Sequence, residues 1–366
     1  FLGQNQALSL AEITAIIPEL KPIEIYPNLV RIDSEDNLKQ LGNRLGGTIK
    51  IAELVKKSDQ SKLAADLVDL IISQNSKNFS FHLLNQVKAE SFGFAASIKK
   101  TLTEKNFKSR FIATSSTGLS PLIITKQKVT ELIIDPETQE IYLTIWVHSF
   151  KDWIIRDRKK PFVTPKSGML PPKLARIMVN LAIGTKNLQE TTLLDPFCGT
   201  GTILMEAAVL GAKIIGSDLS KEKINGTKAN LGWLQANFAD EKISTPTLIE
   251  ADATNLSHKL EKNNIDVIAT EPTLGPPSPD DKKLANLSRG LQKLYLGALK
   301  DWSRFLKPGS RLVIAFPIFH GRDRSFFTSN FIDARENLGY NILRNDLIFT
   351  RPGAKIERQI VILERN

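Results

Sequence analysis

At 366 residues, with 49 Lys+Arg against 39 Asp+Glu and a formal charge of +10, the chain is long enough for two or three domains, and its basic balance favours a polyanionic partner over an acidic small molecule. Its single cysteine excludes disulfides within the chain and a Cys-based zinc site, and the four histidines, His82, His148, His258 and His320, are scattered rather than grouped at ligand spacing. No run approaches the roughly 20 apolar residues that span a bilayer and no signal peptide is recognisable, so the expectation is a cytoplasmic protein with neither membrane nor metal.

In chain order, a helix is predicted over Ser9–Ile17, with Ser9 as N-cap and Pro18 as its stop. A β-rich segment over Ile23–Ile32 and a helix over Ser34–Leu41 follow. From Phe79 the pattern is strand, helix (Ala89–Lys105), strand (Arg110–Ala113), then a hairpin pair, Thr130–Ile134 and Ile141–Val147, around Asp135-Pro136-Glu137-Thr138. These stretches read as two small mixed α and β units, over residues 1–74 and 75–150. The second carries Lys99, Lys100 and Lys105 on its helix, although any one lysine reads first as part of a solvated face. A charged, proline-punctuated linker is expected at 151–171, and Pro172 can open a helix over Pro172–Ala182, because its fixed φ suits a first turn.

Beyond it, strands at Thr192–Leu194, Lys213–Ser217, Thr247–Glu250, Ile265–Thr270 and Ser310–Phe316 alternate with helices at Thr202–Leu210, Lys221–Ala236, Leu256–Lys262, Lys283–Phe305 and Phe327–Leu338. Such alternation predicts an α/β fold with a mostly parallel sheet covered on both faces. The last two strands, Asn341–Phe349 and Arg358–Leu363, have no helix between them and are expected to be antiparallel neighbours.

In such sheets ligands bind beyond the carboxyl ends of the strands. Asp195-Pro196-Phe197-Cys198-Gly199-Thr200-Gly201-Thr202 follows the first strand of this series, where glycines allow a tight turn and a helix begins with unpaired N–H groups. Leu204 stands where the dinucleotide fingerprint needs its third glycine. Asp218, Asp252 and Glu271 follow the next three strands. Each alone could be a helix cap, but four acids in order, one after each strand, argue for a site. Asp195 could receive an amino group, Asp218 ribose hydroxyls and Asp252 an adenine edge. Cys198 lies in the turn and reads as a small packing residue.

The glycine-turn motif is similar to that of S-adenosylmethionine enzymes acting on amino groups of nucleic-acid bases. Together with Leu2-Gly3-Gln4-Asn5, Arg156-Asp157, Gly168-Met169-Leu170-Pro171-Pro172 and Thr350-Arg351-Pro352-Gly353, the chain resembles the THUMP-domain tRNA guanine-N2 methyltransferases of the guanosine-10 group. The resemblance implies an N-terminal ferredoxin-like domain (1–74), a THUMP RNA-binding domain (75–150), and a Rossmann-like methyltransferase domain (172–366) with a seven-stranded, mostly parallel sheet. It implies S-adenosylmethionine as cofactor, held by Met169, Leu170, Asp195, Phe197, Cys198, Gly199, Thr200, Gly201, Thr202, Asp218, Leu219, Asp252 and Ala253. It also implies tRNA as substrate, with N2 of guanosine 10 as the acceptor. Whether a small activating subunit of the kind some relatives use is present is not legible here.

Glu271-Pro272-Thr273-Leu274-Gly275 occupies the place of the family's D-P-P-Y-G. Glu271 and the carbonyl of Pro272 would accept the protons of the base amine, which is needed because its lone pair is delocalised into the ring. Leu274 replaces the aromatic expected to stack on the base; Phe316 and Phe319 are candidate substitutes, with core packing as the competing reading. Large-subunit ribosomal RNA as substrate, and an RNA-binding relative with weak catalysis, stay open as alternatives.

Overall fold

The computed structural model of the chain describes all residues except 20, 22, 27, 35–36, 85–87, 115–117, 164–168, 239–242, 323, 333–337 and 352–355, and for 24–26 and 88–92 the backbone alone. Gly168 and Pro352-Gly353 of the resemblance motifs therefore lie outside the described residues. The chain divides into two compact units, one made of residue 1 with 35–43 and 48–151, the other of 2–34, 44–47 and 152–366.

The elements begin with α1 (Gln6–Ile16), β1 (Ile23–Tyr26), β2 (Leu29–Arg31) and α2 (Leu38–Arg44). Ser9 does not cap α1. It lies inside the helix, buried, and its hydroxyl donates to the carbonyls of Asn5 and Gly47. In the larger unit, the Glu12 carboxylate accepts the N–H groups of Gly46 and Gly47, both at 2.8 Å, so α1 is tied to the returning segment 44–47.

The smaller unit continues with β3 (Lys50–Lys57), α3 (Leu63–Ser73), β4 (Asn78–Leu83), α4 (Lys88–Glu104), β5 (Arg110–Phe111), α5 (Pro121–Gln127), β6 (Val129–Asp135) and β7 (Glu140–Val147). Its five strands lie in the order β3-β7-β6-β4-β5. The expected hairpin forms between β6 and β7, with Asp135 accepting the N–H groups of Glu137 and Thr138 across the turn. One face of the sheet is covered by α3 and α4 through Leu67, Ile71, Ile98 and Leu102, which close on Phe79 and Phe81. Sequence patterning missed β3, α3 and α5.

The larger unit resumes with α6 (Phe150–Arg158), inside the stretch expected to be linker, and α7 (Pro172–Ile183), which starts on a proline as expected. There follow β8 (Thr192–Asp195), α8 (Thr202–Val209), β9 (Lys213–Asp218), α9 (Lys221–Phe238), β10 (Thr247–Glu250), β11 (Ile265–Thr270), α10 (Leu284–Trp302), β12 (Leu306–His320), β13 (Ser325–Phe327), β14 (Tyr340–Phe349) and β15 (Ile356–Arg365). The sheet runs β10-β9-β8-β11-β12-β15-β14, with β13 added beside β12, so it has eight strands rather than seven. Pairing is parallel from β10 to β12 and antiparallel at β15 and β14, as the missing helix between the last two strands requires.

Two helices are corrected. Only a single 3₁₀ turn, Leu256–His258, forms where Leu256–Lys262 was expected. Where Phe327–Leu338 was expected to be helical, Phe327 ends β13 and residues 328–332 make turns, 333–337 lying outside the described residues. The apolar spacing there reflects separate core anchors: Phe331 and Ile332 are buried, and the Thr328 hydroxyl donates to the carbonyl of Pro317.

Candidate active site

After β8 the chain turns to one side of the sheet through β9 and β10, then returns to the other side with β11. The switch point between β8 and β11 opens a crevice at the carboxyl ends of the strands. A cleft of about 380 Å³ lies there, lined by residues from the ends of β8, β9, β10 and β11. Of the residues expected to hold a cofactor, all but Gly201 line it, and Glu271 and Pro272 line it too.

The glycine turn is braced from below. Gly199 and Gly201 have φ of +53° and +83°, where a side chain is disfavoured, and a Cβ on Gly201 would meet Thr227 Cγ2 at 2.8 Å. The Thr227 hydroxyl donates to the Gly199 carbonyl (2.8 Å) and the Asn230 amide to the Thr200 carbonyl (2.8 Å), so α9 fixes both peptides. The chain leading from α6 adds two ties. Lys160, buried, donates to the Thr202 hydroxyl at 2.9 Å, and Phe162 exchanges backbone bonds with Asn230. Arg156 and Arg176 both bond the buried carboxylate of Glu206, fastening α6 and α7 to α8.

Sequence reasoning missed Thr227, Asn230 and Lys160. The first two carried a signal, being polar residues at helical spacing within the apolar stripe of Ile224, Leu231 and Leu234; Lys160 carried none in a run of charges.

Asp195 is 2 % exposed and accepts the Thr270 hydroxyl (2.6 Å) and the Phe197 N–H (3.2 Å). Among the described residues no cation pairs with it. Burial, with smaller repulsion from Asp218 and Glu271, pushes its carboxyl up to about 7 against the pull of those two hydrogen bonds. Asp218 accepts the N–H groups of Gly199 (3.0 Å) and Ser220 (2.9 Å), and Lys223 Nζ lies 3.8 Å from its Oδ2. Asp252 is exposed and accepts both donors of Thr254 on Oδ1. Leu219 is 74 % exposed, an apolar side chain on a polar rim. Cys198 is buried, which pushes its thiol up and leaves it an inert packing group against Gly216.

On the opposite wall, Glu271 forms an ion pair with Arg358 of β15, and Tyr295 of α10 donates its hydroxyl to the Thr273 carbonyl (2.7 Å). Phe316 and Phe319 are each 1 % exposed and sit in the apolar core, Phe316 against Tyr295 and Phe331. As placed, neither ring has a free face for a base, so the stacking role is corrected to packing. Phe197, also on the cleft wall, stands edge-on to Trp302.

Lys99 and Lys100 are exposed on α4 and Lys105 in the turn directly after it, in the smaller unit, and Lys105 pairs with Asp69 at 3.0 Å. Among the described residues, no cluster of three His, Cys, Asp or Glu could hold a metal ion, and no helix is long and apolar enough to cross a membrane.

The family model described as RMKL-like, methyltransferase domain, matches residues 160–320, the stretch from Lys160 through the glycine turn and the Glu271 loop to the end of β12. Residues 160–320 are thus similar to a methyltransferase domain. A second model, DNA methylase, matches residues 54–229 and shares the glycine turn with the first. Among curated relatives, the tRNA (guanine(10)-N2)-dimethyltransferase of Pyrococcus abyssi is 28% identical over 229 residues, 62% of this chain and 59% of the relative. That of Methanothermobacter thermautotrophicus is 34% identical over 162 residues, 44% of this chain and 42% of the relative. The chain thus matches less than two thirds of the length of these relatives. The crystal structure of TrmN from Thermus thermophilus covers 100% of this chain and 98% of its own at a TM-score of 0.51 and 16% identity, a likeness of fold. The larger unit carries the expected Rossmann-like sheet, with the cleft at the carboxyl ends of its strands.

Proposed function

We propose that the chain transfers methyl groups from S-adenosylmethionine to the exocyclic N2 of a guanosine in tRNA, position 10 being the one in the relatives' names. The observation that carries this reading is the gathering of Asp195, Asp218, Asp252 and Glu271-Pro272 around one cleft. The residues suit the cofactor. Asp195, buried without a cationic partner among the described residues, matches the ammonium of its methionine part; Asp218 suits ribose hydroxyls, Asp252 the adenine amino group, and Leu219 an adenine face. Met169 and Leu170 supply the other wall. The cofactor supplies an electrophilic methyl group on a sulfonium sulfur.

Glu271 and the Pro272 carbonyl accept the amino protons of the base, drawing its lone pair out of conjugation. Asp195, Asp218 and Asp252 would hold the cofactor so that its methyl group could be offered to the N2 lone pair that Glu271 and Pro272 orient. Glu271 takes the amino proton and releases it to water. Residues 75–150, with Lys99, Lys100 and Lys105, serve as the RNA-holding module of this reading.

Incorporation of labelled methyl from S-adenosylmethionine into tRNA transcripts tests the proposal. Incorporation lost on replacing guanosine 10 supports it, and none with the unaltered protein overturns it. Thr273 and Leu274 favour a second reading, an RNA-binding relative with weak catalysis. Base stacking contributes about 1–3 kcal/mol, so Leu274→Tyr is expected to raise kcat/KM roughly 5- to 100-fold if the missing ring limits the reaction.

A further inference from the structure

The carboxylate assigned to the amino group is itself held. Glu271 extends from the end of β11, and its Oε1 accepts from Nε of Arg358, which lies in β15 across β12. The two side chains are 15% and 9% exposed, and Arg358 is absent from the cleft wall, so it stands behind the carboxylate rather than beside a substrate. Oε2 takes no hydrogen bond from the described residues. A glutamate has one more rotatable bond than the aspartate of the family pattern, and a carboxylate that must meet an amino proton at one place gains from an anchor that removes this freedom.

We propose that Arg358 is a positioning residue for the methyl transfer, fixing Glu271 by Oε1 and leaving Oε2 for the amino group. This rests on the reading of Glu271 as amino-proton acceptor. Four groups act on that carboxylate: Arg358 from β15, Arg351 from the segment after β14, Asp195 at the end of β8, and Tyr295 from α10. Burial pushes the Glu271 carboxyl upward, and the guanidinium groups of Arg358 and Arg351 pull it back down. A protonated Glu271 loses acceptor capacity where the base needs it. Removing the Arg358 charge is therefore expected to raise the pH below which turnover fails.

The test is steady-state methylation of tRNA transcripts by the full chain over about pH 5.5 to 9, with cofactor affinity measured by calorimetry, for Arg358→Met, Arg358→Gln and Arg358→Lys. Arg358→Met is expected to lower kcat about 100-fold, to move the acid limb up by about one pH unit or more, and to leave cofactor affinity within about twofold. Arg358→Lys is expected to restore the acid limb but only part of kcat, because a point charge lacks the planar fork. If Arg358→Met does not fold, the shorter, polar and neutral Arg358→Gln carries the same expectation for the acid limb. An acid limb that stays in place in the folded neutral variant overturns the role of Arg358. Glu271→Gln separates this from the reading beneath it: wild-type turnover in that variant overturns Glu271 as acceptor, whereas its collapse beside an unmoved limb at position 358 overturns only the present inference.

Discussion

Asp195 ends β8 as a buried acid whose hydrogen-bond donors are neutral, a hydroxyl and a peptide N–H. With its carboxyl raised to about 7, the folded chain holds a proton there that the unfolded chain releases near its ordinary value of 3.8. The sign follows. Ionised Asp195 opposes folding, the penalty growing as pH rises from about 4 to 7 and remaining in full above that. Asp195→Asn keeps both donors satisfied and removes the charge. It is expected to raise Tm by roughly 3–6 °C at pH 8 and to change it little at pH 4, read by scanning calorimetry. The same variant is expected to lose S-adenosylmethionine binding, since the charge that costs stability is the one proposed to meet the cofactor's ammonium. For the unaltered chain, cofactor affinity should weaken up to about tenfold per pH unit below 7. Position in the sequence, directly after a strand and before a glycine turn, was enough to single out this residue. Its titration was not legible, because that depends on burial and on Asp218 and Glu271, which come from other strands.

At the scale of elements, two segments hold the glycine turn between β8 and α8: α9 through Thr227 and Asn230, and the stretch after α6 through Lys160 and Phe162, around glycines that adopt positive φ. Gly201→Ala places a Cβ at φ +83° and into Thr227. The left-handed conformation alone costs about 1–2 kcal/mol, and cofactor dissociation constants are expected to rise about tenfold or more, measured by calorimetry. Strands and helices of the eight-stranded sheet were legible because each is regular and bounded by turn residues, as at Gly211 before β9 and Gly309 within the start of β12. Failures came where local pattern and tertiary role part company. Ser9 carries a capping residue's chemistry but spends its hydroxyl on Gly47, 38 residues away. Residues 328–332 place Phe331 and Ile332 in the core while forming turns rather than a helix. β3 has the exposure pattern of an edge strand, mostly polar toward solvent, and so lacks the apolar alternation that would reveal it.

For the whole molecule, the net charge of +10 is a sum over two compact units. If α4 meets tRNA, Lys99→Gln with Lys100→Gln should weaken tRNA binding and reduce the slope of log K against log salt by about 1.4–1.8. Lys105→Gln should add less, because Asp69 already offsets its charge. Filter binding across a salt series reads this, and an unchanged slope would move the RNA surface off α4. The division of the chain bears on another experiment. Leu8 and Ala11 of α1 belong to the same apolar core as Leu174, Met178 and Leu181 of α7. A chain begun at residue 150 is therefore expected to lose several °C of Tm, or to be insoluble, although it keeps every residue that lines the cleft. The connectivity also sets an order of assembly during synthesis. Residues 48–151 can close their own sheet as soon as they are made, whereas α1, already outside the ribosome, must wait more than a hundred residues for α7 before its apolar face is covered. α1 thus emerges well before α7, and its leucine and isoleucine side chains stay uncovered until that later helix is made.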